Sequence, residues 1–346
     1  MKFNLKIKNP RKSIVITTIS KPNKCLKSIA NNVKSDFHYI VIGDKKSPKN
    51  FKLKNCKYFS INDQKKTPFK SAKVLELNHY SRKNIGYLEA FRSGSELIYE
   101  TDDDNFPYKN FYKNHELSIN GLECEKQLFV NVYKYFSHQN IWPRGFPLRY
   151  LKDKTKNQNF LKKKFVQSPI KQFLADGEPD VDAIFRLIFD SKDFNKNKNV
   201  FVLRKNSFCP FNSQNTIWHK VAFPLMYLPV TCSYRLTDIY RSYVAQRILW
   251  ENNFYLSFHP ATVRQIRNKH DLIEDFIYET DSYIRIDKLA IGLKNIKLKK
   301  GKKNLIYNLK KCYQYMIKNS YLKKSENKYL NSWISDIKLL DENTYF

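Results

Sequence analysis

An α/β fold with a mostly parallel sheet flanked by helices is what this 346-residue chain predicts, and three observations predict it. In the first third, β-branched apolar runs alternate with helix-spaced stretches. Gly and Pro mark several of the junctions. Acidic residues gather where apolar runs stop. Strand–helix–strand alternation of this kind builds a doubly wound sheet.

Residues 13–20, SIVITTIS, form a β-branched run ending at Lys21-Pro22, a buried strand. A polar helical stretch follows over 24–31. Residues 38–44, HYIVIGD, make a second strand stopped by Gly43-Asp44, and 57–61 suit a short third. From Arg82 to Ser93, Ile85, Leu88 and Phe91 recur at helical spacing, and Gly94 ends the helix. The next apolar run, SELIYETDDDN (95–105), stops at its acidic end. Ligands of such sheets sit beyond the carboxyl ends of the strands, where Asp44 and Asp102–Asp104 fall.

The middle is less regular. LFVNVYKYF (128–136) reads as a strand, IWPRGFPLRY as a broken loop, and 152–164 as a basic solvated connector. Residues 176–180 form a turn into a helix, VDAIFRLIFD. Thr237 suits a helix cap, with Tyr240, Val244 and Ile248 following at helical spacing to Trp250. The last 45 residues repeat apolar positions at Leu305, Leu309, Cys312 and Met316, then at Leu330, Trp333, Ile337 and Leu340. Two amphipathic helices are expected there.

Composition narrows the function. The formal net charge is +31, from 63 basic and 32 acidic residues. Only 13 of the 63 are Arg, whereas base-reading surfaces favour Arg. A codon bias toward adenine explains a Lys and Asn excess without any nucleic acid, so no specific nucleic-acid partner is expected. The basic surface leaves room for peripheral membrane contact or for steering an anionic substrate. Eight glycines include no GxGxxG and no GxxxxGK, which excludes the dinucleotide fingerprint and the P-loop. Six scattered cysteines without a CxxC predict free thiols. With no apolar run long enough to span a bilayer and no leader, the expectation is a cytoplasmic protein.

Three consecutive aspartates at a strand end repel one another and raise one another's pKa. A divalent ion with oxygen ligands compensates directly. Asp102 and Asp104 are expected to face one way as metal ligands and Asp103 the other, because extended side chains alternate; Asp103 reaches the ribose or the metal if the strand has already turned. Arg82 and Lys83 open a helix whose N-terminus favours anions and suit a diphosphate. A later acidic group holds Asp176, Glu178, Asp180 and Asp182, with Asp238 beyond it at a helix start. Asp238 is the candidate general base, and Asp180 and Asp182 are further catalytic candidates. Trp142, Trp218 and Tyr240 are candidate sugar-stacking rings, and His259 and His270 weaker candidates for a metal. An acidic solvated turn remains the alternative for the aspartates, and a first-turn carboxylate for Asp238.

Several stretches, taken in order, carry a resemblance. IGDKKSP (42–48), RKNIGYLEA (82–90), IYETDDDN (98–105), NVYKYF (131–136), IWPRGFPL (141–148), ADGEPDVDAIFRL (175–187), PFNSQNT (210–216) and LPVTCSYRLTDIYRSYVAQRILW (228–250) together resemble the STELLO-type glycosyltransferases over about residues 12–270. The resemblance implies a GT-A-like fold with the aspartate cluster as its DxD metal element. It implies Asp44 and Lys45 at the nucleotide end and the 176–182 block as part of the site. The resemblance fixes the class better than the substrate; the expectation is manganese or magnesium as cofactor, a UDP-sugar or similar donor, hexosyl or related transfer, and an unknown acceptor (glycan, lipid or protein). Plant members are anchored in the Golgi membrane, and neither that location nor their cellular role is carried over. The domain expectation is a GT-A-like unit over 1–280 and a Lys-rich helical extension over 281–346. A non-catalytic scaffold of the same fold and a basic nucleic-acid enzyme are the competing functions.

Overall fold

The protein is described by a computed structural model over residues 11–113, 115–155, 157–191, 193–194, 197–267 and 271–342. His270 lies outside these residues. In chain order the strands are β1 (Arg11–Thr17), β2 (Phe37–Ile42), β3 (Lys57–Phe59), β4 (Ser95–Thr101), β5 (Asn105–Pro107), β6 (Ser118–Glu123), β7 (Lys162–Gln167), β8 (Ile170–Gly177), β9 (Phe201–Val202), β10 (Asn215–His219) and β11 (Leu256–Gln265). They form one sheet in the order β3-β2-β1-β4-β10-β8-β11-β9-β6-β7, with β5 on β11. The helices are α1 (Lys24–Asn32), α2 (Ile61–Lys65), α3 (Lys70–Val74), α4 (Lys83–Arg92), α5 (Ala183–Ile188), α6 (Thr237–Leu249), α7 (Leu272–Asn295), α8 (Leu305–Lys318) and α9 (Glu326–Glu342).

β1 to β4 are mutually parallel. β10 is antiparallel to both β4 and β8, so β8 and its parallel neighbour β11 run the same way as β1. β7 joins them, and β5, β6, β9 and β10 run the other way. This is the mixed α/β architecture, mostly parallel, that the sequence predicts. Its consequence is positional. The carboxyl ends of β1, β2, β4, β8 and β11 emerge on one edge, and antiparallel β10 begins at that same edge.

Both faces of the sheet are covered. Ile14, Ile16, Tyr39 and Val41 pack with Leu26 and Ile29 of α1, while Val15, Ile40 and Ile42 pack with Ile85 and Leu88 of α4. Burial on both faces is why these strands read as continuous apolar runs rather than alternating ones. Gly86 lets α4 approach closely, since a Cβ there would lie 2.5 Å from Val15 Cγ1.

The chain's end is tied to the sheet layer by buried carboxylates. Glu326, at the start of α9, accepts from Val230 N at 3.0 Å, Thr231 N at 2.8 Å and Thr231 Oγ1 at 2.7 Å, and from Tyr227 OH. Asp336 accepts from Lys70 N and Ser71 N, each at 2.8 Å, at the first turn of α3. α7 runs unbroken through residue 281.

Four local expectations are corrected. Residues 128–136 contain a 3₁₀ turn at Val132–Tyr135 and one bridge, Phe129 to Phe208, rather than a strand. Val132, Tyr133, Tyr135 and Phe136 are all buried, which is not the period of two a strand needs. The basic connector ends in a strand, because Lys162–Lys164 begin β7 at the sheet edge, where lysines blunt edge pairing. Leu236, not Thr237, occupies the cap position of α6, and Thr237 Oγ1 donates to Tyr234 O. The 24-residue α7 begins at Leu272, whereas the sequence places the helical extension only from residue 281.

Replacing Glu326 with Ala strands several buried donors. Urea unfolding of Glu326→Ala should show a loss of about 2–3 kcal/mol with an unchanged slope. An unshifted midpoint would contradict the role of this carboxylate.

Candidate active site

The strand ends enclose a cleft of about 470 Å³, within the range of small-ligand sites. Thr17 ends β1 and Thr18 follows it, Gly43 and Asp44 follow β2, Asp102–Asp104 follow β4, Asp180 lies beyond β8, and Gln265 ends β11 with Arg267 beyond it. Ser213 and Gln214 enter at the start of β10.

The aspartates do not alternate along an extended strand. β4 stops at Thr101, and the three residues turn into β5, with Asn105 N bonded to Asp102 O at 3.4 Å. All three therefore line the cleft, and each meets a different environment. Asp102 Oδ1 accepts from Lys83 Nζ at 3.0 Å and Tyr80 OH at 2.9 Å. Asp103 Oδ2 accepts from Thr18 Oγ1, and its carbonyl accepts from Asn23 Nδ2 at 2.8 Å. Asp104 Oδ2 accepts from Gln265 Nε2 at 3.0 Å, while its Oδ1 is buried without a hydrogen-bond partner. Burial first, then the charges of Asp102 and Asp103, push the Asp104 carboxyl up to about 7. Burial likewise raises Asp103.

A second cluster forms the opposite wall. Arg144 clasps Asp180 through two bonds of 2.7 Å and Asp238 through bonds of 3.1 and 2.9 Å. Asp238 Oδ2 also accepts from Ser213 N and Oγ, both at 3.1 Å, and Ser213 Oγ bonds Tyr80 OH. Arg144, Asp238, Ser213, Tyr80, Asp102 and Lys83 thus form one continuous polar network across the cleft floor. Such networks, when satisfied, hold a single geometry. Although burial opposes ionisation, the Arg144 guanidinium beside Asp238 brings its carboxyl down to about 2.

Several expected roles change with this geometry. Asp238 lines the cleft, but its oxygens are engaged by Arg144, Ser213 and Ile239 N, which is unfavourable for a general base. Asp180 lines the cleft in the grip of Arg144. Asp182 does not line it; Asp182 caps α5 at Phe185 N and accepts from Trp142 Nε1, its carboxyl raised by burial to about 7. Lys83 is turned inward onto Asp102, and Arg82, which also lines the cleft, is spent on Gln64 and Leu75 O. Neither is free to grip a diphosphate. Asp44 lines the cleft and braces it, accepting from Asn78 N at 2.7 Å and His79 N at 2.9 Å; exposed Lys45 is not among the lining residues, and Lys46 is. Asp176 and Glu178 serve loops, through Phe194 N and Arg267 N. Trp218 and Tyr240 are core residues bonded to Glu100 and Asp281. His259 is buried against Phe173 at 4.5 Å, away from the cleft.

Arg144, Tyr80, Ser213, Gln265 and Arg267 were not among the expected site residues. Arg144 had a signal, a lone Arg inside the apolar loop IWPRGFPL. Arg267 had another, since it follows an apolar run at a strand end.

Among the described residues, no group of three or more His, Cys, Asp or Glu side chains is gathered to cage a metal. The aspartate turn nevertheless fits a divalent ion shared with a ligand. Its donors are hard oxygens, and one of them, Asp104 Oδ1, is buried and unmatched.

The family model described as STELLO glycosyltransferases matches residues 235–344. "Probable glycosyltransferase STELLO1" of Arabidopsis thaliana is 28% identical over 304 residues, covering 80% of this chain and 38% of that protein. The chain is similar to the STELLO glycosyltransferases. "Probable glycosyltransferase STELLO2" of the same plant is 25% identical over 351 residues, covering 94% of this chain and 44% of that one. The chain thus spans less than half the length of these curated relatives. The matched segment holds Arg235, Asp238, Gln265 and Arg267 of the cleft and continues through α7 to α9, beyond the 12–270 region of the expected resemblance. A solved structure, "Crystal Structure of a Mycobacterial Protein", aligns over 82% of this chain and 73% of its own at 10% identity, with a TM-score of 0.39, too slight to bear on function. Among the described residues, no helix is long and apolar enough to cross a membrane.

Asp104 makes stability depend on pH in a defined direction. Unfolded, its carboxyl ionises near 3.9; folded, near 7. Its neutral form is favoured in the folded chain, so its contribution is fully present below about pH 4 and is lost as pH rises through about 7. With a chelator present, Asp104→Asn should melt a few degrees above the parent at about pH 8 and level with it at about pH 4. Equal shifts at both pH values would contradict the assignment.

Proposed function

We propose that this protein is a glycosyltransferase that takes its sugar from a nucleoside-diphosphate sugar, with a divalent metal held by Asp102 and Asp104 against the diphosphate. One observation carries the reading: Asp104 lines the cleft beside two further carboxylates, and its Oδ1 is buried without a hydrogen-bond partner. The names of the related proteins support glycosyl transfer. Manganese and magnesium both suit an all-oxygen donor set. An ion held there by Asp102 and Asp104 would supply positive charge against the donor's diphosphate and stabilise the leaving group.

The chain's own residues do the positioning. Lys83 and Tyr80 fix Asp102, and Thr18 fixes Asp103. Asp44 holds the Asn78–His79 backbone at the β2 side, where the nucleotide would lie. Arg267 faces the cleft near Asp104 with an unpaired Nε, a donor suited to phosphate. Asp238 and Asp180 serve as positioning residues for Arg144 in this reading.

Calorimetry of UDP and of UDP-sugars tests the proposal. Binding should require manganese or magnesium and fall about 100-fold or more in Asp104→Ala, while the far-UV spectrum is unchanged. Equal binding in a chelator would overturn the metal. Metal-dependent binding with no release of UDP from any nucleotide sugar, alone or with acceptors, would favour the non-catalytic scaffold.

A further inference from the structure

The charge excess is not spread evenly. From residue 288 to 325 the chain carries twelve Lys, no Arg, and no Asp or Glu. At the chain's average acid content, 32 in 346, such a stretch would hold three or four acids. A codon preference for Lys does not remove them. All twelve lysines are exposed. Among the described residues, the lysines that form ion pairs, Lys12, Lys57, Lys83, Lys164 and Lys220, all lie elsewhere. The density peaks where α7 hands over to α8, at Lys294, Lys297, Lys299, Lys300, Lys302 and Lys303.

Apolar side chains stand among these charges. Ile284 and Ile291 are exposed on α7, seven residues apart and so on one face, with Lys288 between them. Tyr307, at the start of α8, is 39% exposed, and the ammonium groups of Lys299 and Lys311 lie over its ring at 4.3 and 5.7 Å. Asp281 and Asp287 flank Ile284, but from residue 288 to 325 the exposed surface mixes Ile291 and Tyr307 with lysines and carries no acid, which suits the boundary between lipid headgroups and acyl chains.

We propose that this basic face, the C-terminal half of α7 with the 294–303 connection and α8, docks the protein on an anionic lipid bilayer. Charge complementarity argues for that occupant. Flexible ammonium tips neutralise a diffuse anionic surface. The absence of Arg argues against duplex recognition, which relies on planar forks for phosphates and base edges. The inference is independent of the cleft's chemistry.

Sedimentation with vesicles decides it. At about 0.15 M salt, the full chain should bind phosphatidylcholine vesicles containing about 30% phosphatidylserine, and should not bind phosphatidylcholine alone. The variant Lys297→Glu/Lys299→Glu/Lys300→Glu should bind about 100-fold more weakly or worse, with an unchanged melting temperature because all three side chains are exposed. Ile291→Ser should weaken binding several-fold. Equal binding to both vesicles, undiminished binding by the triple variant, or tighter binding to duplex DNA or RNA at the same salt would overturn the proposal.

Discussion

Three neighbouring carboxylates at one strand end are the constraint on which the cleft depends. Like charges at that spacing cannot all stay ionised and dry without countercharge. The fold answers unequally. Asp102 receives Lys83, Asp103 receives the Thr18 hydroxyl, and Asp104 receives a single amide donor on one oxygen. The shortfall is concentrated on Asp104 Oδ1. A buried acceptor without a donor is costly unless something else supplies the charge, and a cation shared with a bound phosphate would do so.

The rest of the site keeps that shortfall in place. Sheet direction brings five strand ends and the start of β10 to one edge. Arg144 then ties β10's Ser213 and α6's Asp238 to Asp180 beyond β8. A buried ion pair of this kind is poor evidence for stability but useful for holding a geometry. Further out, α7 supplies Asp275 and Glu279, which meet Arg186 and Arg235 where α5, α6 and the cleft rim converge.

Much of this was legible in the sequence. β1, α1, β2, α4 and β4 follow from apolar runs and their breakers, because tertiary burial on both faces agrees with local propensity there. The aspartate turn was visible from its position after LIYET. α7 was hidden because its buried face carries Asp275, Glu279, Ser282 and Asp287, so the apolar period fails where ion pairs replace packing. The surroundings of Lys83, Arg82 and Asp238 were hidden for one reason. Each charge is directed inward to a partner far away in sequence, and spacing alone does not reveal such partners. Trp142 and Tyr240 read as candidate stacking rings but are oriented by buried carboxylates or neighbours.

The account stands or falls on what Asp104 Oδ1 binds. Crystals grown with manganese and UDP, measured for anomalous scattering from the metal, address it directly. A peak within about 2.5 Å of Asp104 Oδ1, also touching Asp102 and a diphosphate oxygen, is the predicted result. UDP bound in the cleft with no peak there, or with Asp104 bonded only to protein, would contradict it.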